Sequence, residues 1–238
     1  LKIAIIGYGK MGRQIESLAI EKGIKITAIV DNENEWKEKL NDIKKADVGI
    51  EFSTPKTAIE NIKKCFHINI PVVTGTTGWH NHFDKIKKEC IDSGNSLFFA
   101  SNYNIGMNIF FALNKYVAGN ADFLKDYNIS IEETHHTAKI DSPSGTAITL
   151  ADDLINELSW IKKWVNKESE NKDELGIISF REGDVTGKHD IILESEYDII
   201  KLSHSAKNRK GFAHGALIAA DWIIGKKGVY SMSDLLKL

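Results

Sequence analysis

The chain has 238 residues, 42% of them hydrophobic and 27% charged, and its formal net charge of −2 comes from both signs interspersed, so it offers no basic face of the kind nucleic-acid binding requires. That length buries a substantial core in one large or two modest domains, and its longest apolar stretches, such as Ala216 to Ile224 interrupted by Asp221, fall far short of the roughly 18 residues of a membrane span. Cys65 and Cys90 both lie in lysine-rich helical segments, which argues against a disulfide framework or a cysteine zinc site, and the opening strand leaves no room for a leader, so a cytoplasmic location is expected.

From Lys2 to Ala100 short apolar runs alternate with amphipathic stretches, the order that builds a parallel sheet covered by helices. Strands are expected at Lys2 to Ile6, Lys25 to Val30, Asp47 to Phe52, Pro71 to Thr74 and Ser96 to Ala100. Helices are expected at Met11 to Lys22, Pro55 to His67 and His80 to Ser93, the first and third stopped by Gly23 and Gly94 and the second opened by its proline. After Asn104 the pattern changes. A helix from about Met107 to Ala118 is followed by a strand from Tyr127 to Thr134, a helix beginning just after Pro143, and strands near Gly176 to Arg181, His189 to Glu194 and Tyr197 to His204. The later strands follow one another without helices, which points to a mainly antiparallel sheet. Asn166 to Glu174 reads as a mobile polar loop, and Gly211 to Gly225 as a helix that returns to the first domain. The fold class is therefore α/β: a Rossmann-like doubly wound parallel sheet over residues 1–104, completed by 209–238, plus a smaller α+β domain over 105–208.

Gly7-Tyr8-Gly9-Lys10-Met11-Gly12 matches G-x-G-x-x-G directly after a strand and at the opening of a helix, and Asp31 closes the second strand about 20 residues on, which is the context a dinucleotide site needs. Gly7 permits the tight turn, Gly9 lets the backbone approach a pyrophosphate, and Gly12 lets helix and strand pack closely, while the helix N-terminus offers unpaired N–H groups. Gly75-Thr76-Thr77-Gly78 and Ala100-Ser101-Asn102-Tyr103 lie at other strand ends, where their small and hydroxyl residues suit the walls of a nicotinamide pocket.

Between Glu133 and Ala147 the chain concentrates His135, His136, Lys139 and the turn Pro143-Ser144-Gly145-Thr146 in a strand-to-helix loop. Adjacent histidines on an extended chain point to opposite faces and chelate one ion poorly, so no metal is expected. Ser144 is a candidate N-cap, and the N–H groups of Gly145 and Thr146 a candidate carboxylate site.

The segment His135-His136-Thr137-Ala138-Lys139-Ile140-Asp141-Ser142-Pro143-Ser144-Gly145-Thr146-Ala147 resembles the H-H-x-x-K-x-D-A-P-S-G-T-A signature of the 4-hydroxy-tetrahydrodipicolinate reductases, with Ser142 in place of the alanine. Further support comes from Gly75 to Gly78, Ser101 to Asn104, Arg181-Glu182-Gly183-Asp184, and the tail from His204 through Arg209 to Phe212-Ala213-His214-Gly215-Ala216. The chain is shorter than usual for that family, chiefly around Ser159 to Leu175. The resemblance implies NAD(P)H-dependent reduction of a cyclic dicarboxylate in lysine and diaminopimelate synthesis by a homotetramer assembled through the second domain. It places the general acid/base at His135, a second proton donor at Lys139, and substrate contacts at His136, Ser144, Gly145 and Thr146. Asp31 followed by Asn32 and Glu33, with no adjacent arginine, favours NADH over NADPH, although Lys10 can swing toward a 2′-phosphate. A semialdehyde reductase and a nucleotide-sensing binding protein are the competing readings; the first leaves the histidine pair unexplained and the second has no need of both His135 and Lys139.

Overall fold

The computed structural model describes residues 1–238, apart from the side chains of His80 and Asp122. In chain order the elements are β1 (Lys2–Ile6), α1 (Lys10–Glu21), β2 (Lys25–Val30), α2 (Glu33–Glu38), α3 (Leu40–Ile43), β3 (Val48–Glu51), α4 (Pro55–His67), β4 (Val72–Thr74), α5 (Phe83–Asp92), β5 (Ser96–Phe99) and α6 (Ile105–Ala118). There follow β6 (Asn128–His135), α7 (Gly145–Glu157), β7 (Lys163–Val165), β8 (Glu174–Arg181), β9 (Lys188–Glu194), β10 (Ile199–Ser205), α8 (Lys210–Trp222), β11 (Gly228–Tyr230) and α9 (Met232–Leu236). Two compact units result, Leu1–Asn108 with Lys210–Leu238, and Ile109–Arg209.

The first unit is built on a six-stranded sheet in the order β11-β5-β4-β3-β1-β2, and every neighbouring pair in it is parallel. Because side chains alternate along a strand, the KIAII run of β1 feeds two cores at once. Ile3 and Ile5 join Ile15 and Leu18 of α1 and Ala216 and Leu217 of α8, whereas Ala4 and Ile6 join Ile62 and Cys65 of α4 and Ile86 and Cys90 of α5. Both cysteines are thus free thiols inside the second of these cores, and burial drives their acidity down, Cys90 to a pKa of about 11.

The second unit carries a five-stranded sheet in the order β10-β9-β6-β8-β7. It is mixed rather than mainly antiparallel: β6–β9 and β9–β10 are antiparallel, while β6–β8 and β7–β8 are parallel. α7, between β6 and β7, lets those two strands run the same way, and the helix-free residues 166–173 carry the chain from β7 back to β8, which inserts between them parallel to both. On β6, residues Ile129, Ile131, Glu133 and His135 are all buried and alternate with half-buried neighbours. One face of this strand therefore begins apolar and ends with an acid and an imidazole. Residues 166 to 173 precede β8 without regular structure, and the Ser169 hydroxyl ties them down by donating to Glu174 at 2.8 Å. Among the described residues no helix is long and apolar enough to cross a membrane.

Candidate active site

In the first unit the glycine loop is shaped by contacts that a side chain would abolish. Gly7 has φ +90°, and a Cβ there would lie 2.2 Å from the Phe52 carbonyl oxygen; one on Gly12 would lie 2.3 Å from the Gly7 oxygen. Gly9 has nothing within 4 Å of its added Cβ, so what keeps that side open is not protein packing. Gly9 is also the N-cap of α1 and supplies no side-chain cap, which leaves the helix N–H groups and positive dipole facing outward.

Gly9, Lys10 and Met11 share a cavity of about 390 Å³ with Ser53, Gly75, Thr76 and Thr77, so the two sequence-distant loops meet. Thr76 is largely buried and its hydroxyl accepts from the Ser53 N–H at 2.8 Å, leaving Thr77 as the exposed member. The fully buried Glu51 binds the end of β3 to this loop, accepting from the Thr74 hydroxyl at 2.5 Å and the Ser53 N–H at 3.1 Å. A second cavity of about 160 Å³ is lined by Gly7, Asp31, Asn32, Glu33, Trp36 and Lys64 among others. There the Asp31 carboxylate accepts from the Tyr8 N–H at 2.6 Å, and the Lys64 ammonium is paired with Glu33 and, at 3.1 Å, with Glu60.

The loop after β5 is less uniform. Ser101 is exposed and Asn102 caps the chain by accepting from the Asn104 N–H at 2.9 Å, but Ala100 and Tyr103 are core residues. The Tyr103 ring packs on Phe52 and Phe98, and its hydroxyl donates to the Thr74 carbonyl at 2.7 Å, so its side chain anchors the loop instead of lining a cofactor.

In the second unit strand register assembles the reactive groups. Glu133 and His135, two apart on β6, share a face; His189 of β9 stands opposite Glu133, and Arg181 of β8 opposite His135. His135 Nδ1 lies 2.8 Å from Glu133 Oε2 without pointing straight at it, a contact that is chiefly electrostatic. Glu133 Oε1 receives the Arg181 guanidinium at 3.2 Å and the Ser144 N–H at 3.1 Å. Burial works to raise the Glu133 carboxyl, but His135, Ser144 and Ser179 together outweigh it and hold the group far below the usual carboxylate range. His189 Nε2 stands 3.9 Å from the same carboxylate and 3.2 Å from the Ser144 hydroxyl. Burial above all, then repulsion from His135, brings the His189 pKa down to about 4, so it is neutral at physiological pH.

His136 points to the other side of the strand, half-buried, with the Arg209 guanidinium 3.5 Å from its Nε2. The Lys139 ammonium is held by both oxygens of Asp141 at 2.8 Å each, and Arg181 fixes that loop by donating to the Lys139 and Asp141 carbonyls. Ser144 caps α7 by accepting from the Ala147 N–H at 3.2 Å. It is 2% exposed, which corrects the expectation that it binds substrate: its hydroxyl faces Ala147 and His189, inward. Gly145, exposed, and Thr146, half-buried, present the first N–H groups of the helix.

Two family models divide the chain between them: "Dihydrodipicolinate reductase, N-terminus" matches residues 1–103 and "Dihydrodipicolinate reductase, C-terminus" matches residues 106–236. The chain belongs to the dihydrodipicolinate reductase family. It is 43% identical over 236 residues to the 4-hydroxy-tetrahydrodipicolinate reductase of Christiangramia forsetii, covering 99% of this chain and 98% of that one. The enzyme of the same name from Staphylococcus saprophyticus is 33% identical over 99% of this chain and all of its own length. The fold is shared with the dipicolinate-bound dihydrodipicolinate reductase from Paenisporosarcina sp. TG-14, at a TM-score of 0.80 and 22% identity over 99% of both chains. The chain is accordingly an oxidoreductase of lysine and diaminopimelate synthesis, a class that the N-terminal sheet and the signature loop both suit.

Within this reductase, Glu133, His189 and the guanidinium of Arg181 are the site groups that sequence reasoning did not single out. Glu133 was legible as an acid two residues before His135, on the same face of a strand. His189 and Arg181 arrive through register from strands far along the chain; Arg181 stands in the Arg181-Glu182-Gly183-Asp184 motif, but its place beside Glu133 is not readable from that motif. Glu133, His135 and His189 also bring three metal-capable atoms within 4.8 Å of one another, a grouping distinct from the adjacent histidine pair.

Proposed function

We propose that this reductase delivers hydride from NADH to C4 of 4-hydroxy-tetrahydrodipicolinate, with His135 supplying the proton and Lys139 assisting departure of the 4-hydroxyl. A nicotinamide cofactor, when bound, supplies the hydride; the glycine cradle, the uncapped N-terminus of α1 and the acid at the end of β2 are the features that fit one. The observation that carries the reading is that one strand-loop-helix segment presents an imidazole, an ammonium and a helix N-terminus together.

The chemistry asks for each of them. Hydride addition to a conjugated imine leaves an enamine that must gain a proton at carbon, which a histidine can give near neutral pH. Two carboxylates need cationic or N–H partners, each charge-assisted contact being worth roughly 1.5–3 kcal/mol, and Gly145, Thr146, His136 and Lys139 provide them. Lys139 must exchange Asp141, which holds it at 2.8 Å, for substrate.

Loss of 340 nm absorbance on mixing protein, NADH and freshly prepared substrate tests the reading. His135→Gln and Lys139→Ala should each lower kcat by about 10²–10⁴ while NADH affinity barely moves. Near-wild-type turnover in both would remove them from the mechanism.

NADH preference is supported by the pocket around Asp31. Asp31, Glu33 and Glu60 place negative charge there, and Lys64 is already neutralised by two of them, so a 2′-phosphate gains no free cation from it. At matched low ionic strength, kcat/KM and the calorimetric Kd should both favour NADH over NADPH, because salt screens a charge effect. A clear NADPH preference that disappears in Lys10→Ala would assign cofactor selection to the glycine loop instead.

The remaining proposals are a homotetramer formed through the second unit and a cytoplasmic location. Exposed Tyr197 and Ile199 beside the edge strand β10 support the first. The two buried free thiols accord with the second.

A further inference from the structure

The face of the second sheet that holds His135 carries more charge than proton donation alone requires. Glu133 is fully buried, and three groups from different elements converge on it: the Arg181 side chain from β8, the Ser144 N–H from the start of α7, and His135 from its own strand. A buried carboxylate is retained at a cost of several kcal/mol unless it is well partnered, so this one has been built around. Its second oxygen faces the Nδ1 edge of the imidazole. The opposite edge faces Gly187, where a Cβ would come within 3.0 Å of His135 Nε2. One ring nitrogen thus lies 2.8 Å from a fixed anion, close enough for a small turn of the ring to aim it there, and the other faces a position kept free of any side chain.

We propose that Glu133 is the positioning residue of the reaction: it holds the Nδ1 proton of His135, orients the ring, and leaves Nε2 as the atom that exchanges a proton with substrate. This rests on the role of His135 given above. In the proton step the Nε2–H bond of the imidazolium breaks and a C–H bond forms on the enamine carbon; the electron pair stays on Nε2, leaving a neutral ring with its proton on Nδ1 beside Glu133. Reprotonation from water restores the acid.

The other groups facing the ring fit this division of labour. Arg181 pairs with Glu133 at 3.2 Å, Lys139 and Asp141 lie on the loop beyond it, and His189 of β9 and His204 of β10 are both disfavoured from protonating, chiefly by burial. Neither histidine brings a charge that would compete with His135 for the carboxylate. The same atoms are within reach of a metal ion, but a dication there would sit beside the Arg181 guanidinium, which already supplies the positive charge that Glu133 needs.

Long-range ¹H–¹⁵N NMR of the ¹⁵N-histidine-labelled full chain tests the proposal, with His135→Gln identifying the resonance. Neutral His135 in the wild type should carry its proton on Nδ1; a proton on Nε2 overturns the proposal and needs no further variant. In Glu133→Gln the tautomer should shift or mix, kcat should fall by about 10–10²-fold with KM within about twofold, and the alkaline-side limb of the pH profile, where the required imidazolium is lost, should move to lower pH. Glu133→Asp should recover part of both effects. Should Glu133→Gln fail to fold, Gly187→Ala displaces the ring with Glu133 and Arg181 intact, and must lower kcat without moving the tautomer. An unchanged tautomer and pH profile in Glu133→Gln, or stoichiometric binding of Zn²⁺ by the wild type in calorimetry, overturns the assignment. Wild-type turnover in His135→Gln would instead refute the role of His135 and leave the tautomer result standing.

Discussion

At neutral pH the imidazole of His189 is uncharged, and that fact makes the second unit sensitive to acid. In an unfolded chain the ring protonates below about pH 6.5, whereas in the fold it does so only near pH 4. Between those values the unfolded state binds the extra proton, so stability falls as pH drops from 6.5 to 4, by up to about 3 kcal/mol, and the contribution is flat outside that window. Glu133 has the opposite chemistry and the same direction: its folded-state acidity is strengthened, so its stabilisation is complete above the ordinary carboxylate range and is lost as pH falls below it. The upper part of the window, from pH 6.5 to 4.5, therefore separates the histidines from Glu133, and since burial lowers His204 in the same direction, the His189 share is read as the difference between the wild type and a variant without it. Urea denaturation of His189→Gln across that range should show a flatter pH dependence than the wild type. Parallel slopes would mean that His189 protonates in the fold as easily as outside it.

At the scale of elements, α7 joins stability to binding. Ser144 closes its first turn and touches His189, and its backbone N–H reaches Glu133, so one residue links the helix start to the buried acid. Ser144→Ala removes the cap and leaves a buried imidazole nitrogen without its partner, and should cost about 1–3 kcal/mol in denaturant unfolding. Pyridine-2,6-dicarboxylate should bind the variant several-fold more weakly in calorimetry, because the N–H groups of Gly145 and Thr146 lose their fixed direction, while kcat falls far less than in His135→Gln. An unchanged affinity would take the carboxylate away from this helix. The cap was readable in advance from a serine between a proline and a glycine, and β1, β2 and α4 were readable to the residue from apolar alternation and the proline start. Elements that escaped were short or polar: α2 and α3 in Glu33 to Ile43 lack an apolar period, and β7, β11 and α9 are only three to five residues long. Of the proposed site, His135 and Lys139 were legible because they stand in one local segment, whereas the approach of Arg181 and His189 to Glu133 depends on register and is not readable from any local pattern. Tyr103 shows the reverse error, since a hydroxyl at a strand end reads as a ligand group until its ring is seen in the core.

The whole molecule divides its work between two units with separate cores, and the second exposes more apolar surface than its own folding explains. β10 lies at the sheet edge with Ile199 62% and Ile200 41% exposed; Tyr197 just before it is 87% exposed, and Phe180 on β8 is 47% exposed. An edge strand of this kind carries unpaired N–H and carbonyl groups beside apolar side chains, a combination that persists in solution when another copy of the chain covers it. β2, one edge of the first sheet, borders the cavity around Asp31. If the second unit assembles the proposed homotetramer, light scattering should give four times the 26.6 kDa of one chain. Ile199→Glu places a carboxylate on that edge, where burying it against a partner would cost several kcal/mol, and should lower the measured mass to that of a dimer or monomer while the far-ultraviolet circular dichroism stays the same. A wild-type mass of 26.6 kDa, or a variant that stays tetrameric, would move the interface away from β10 and leave the exposure of Tyr197, Ile199 and Ile200 to be explained by a different partner.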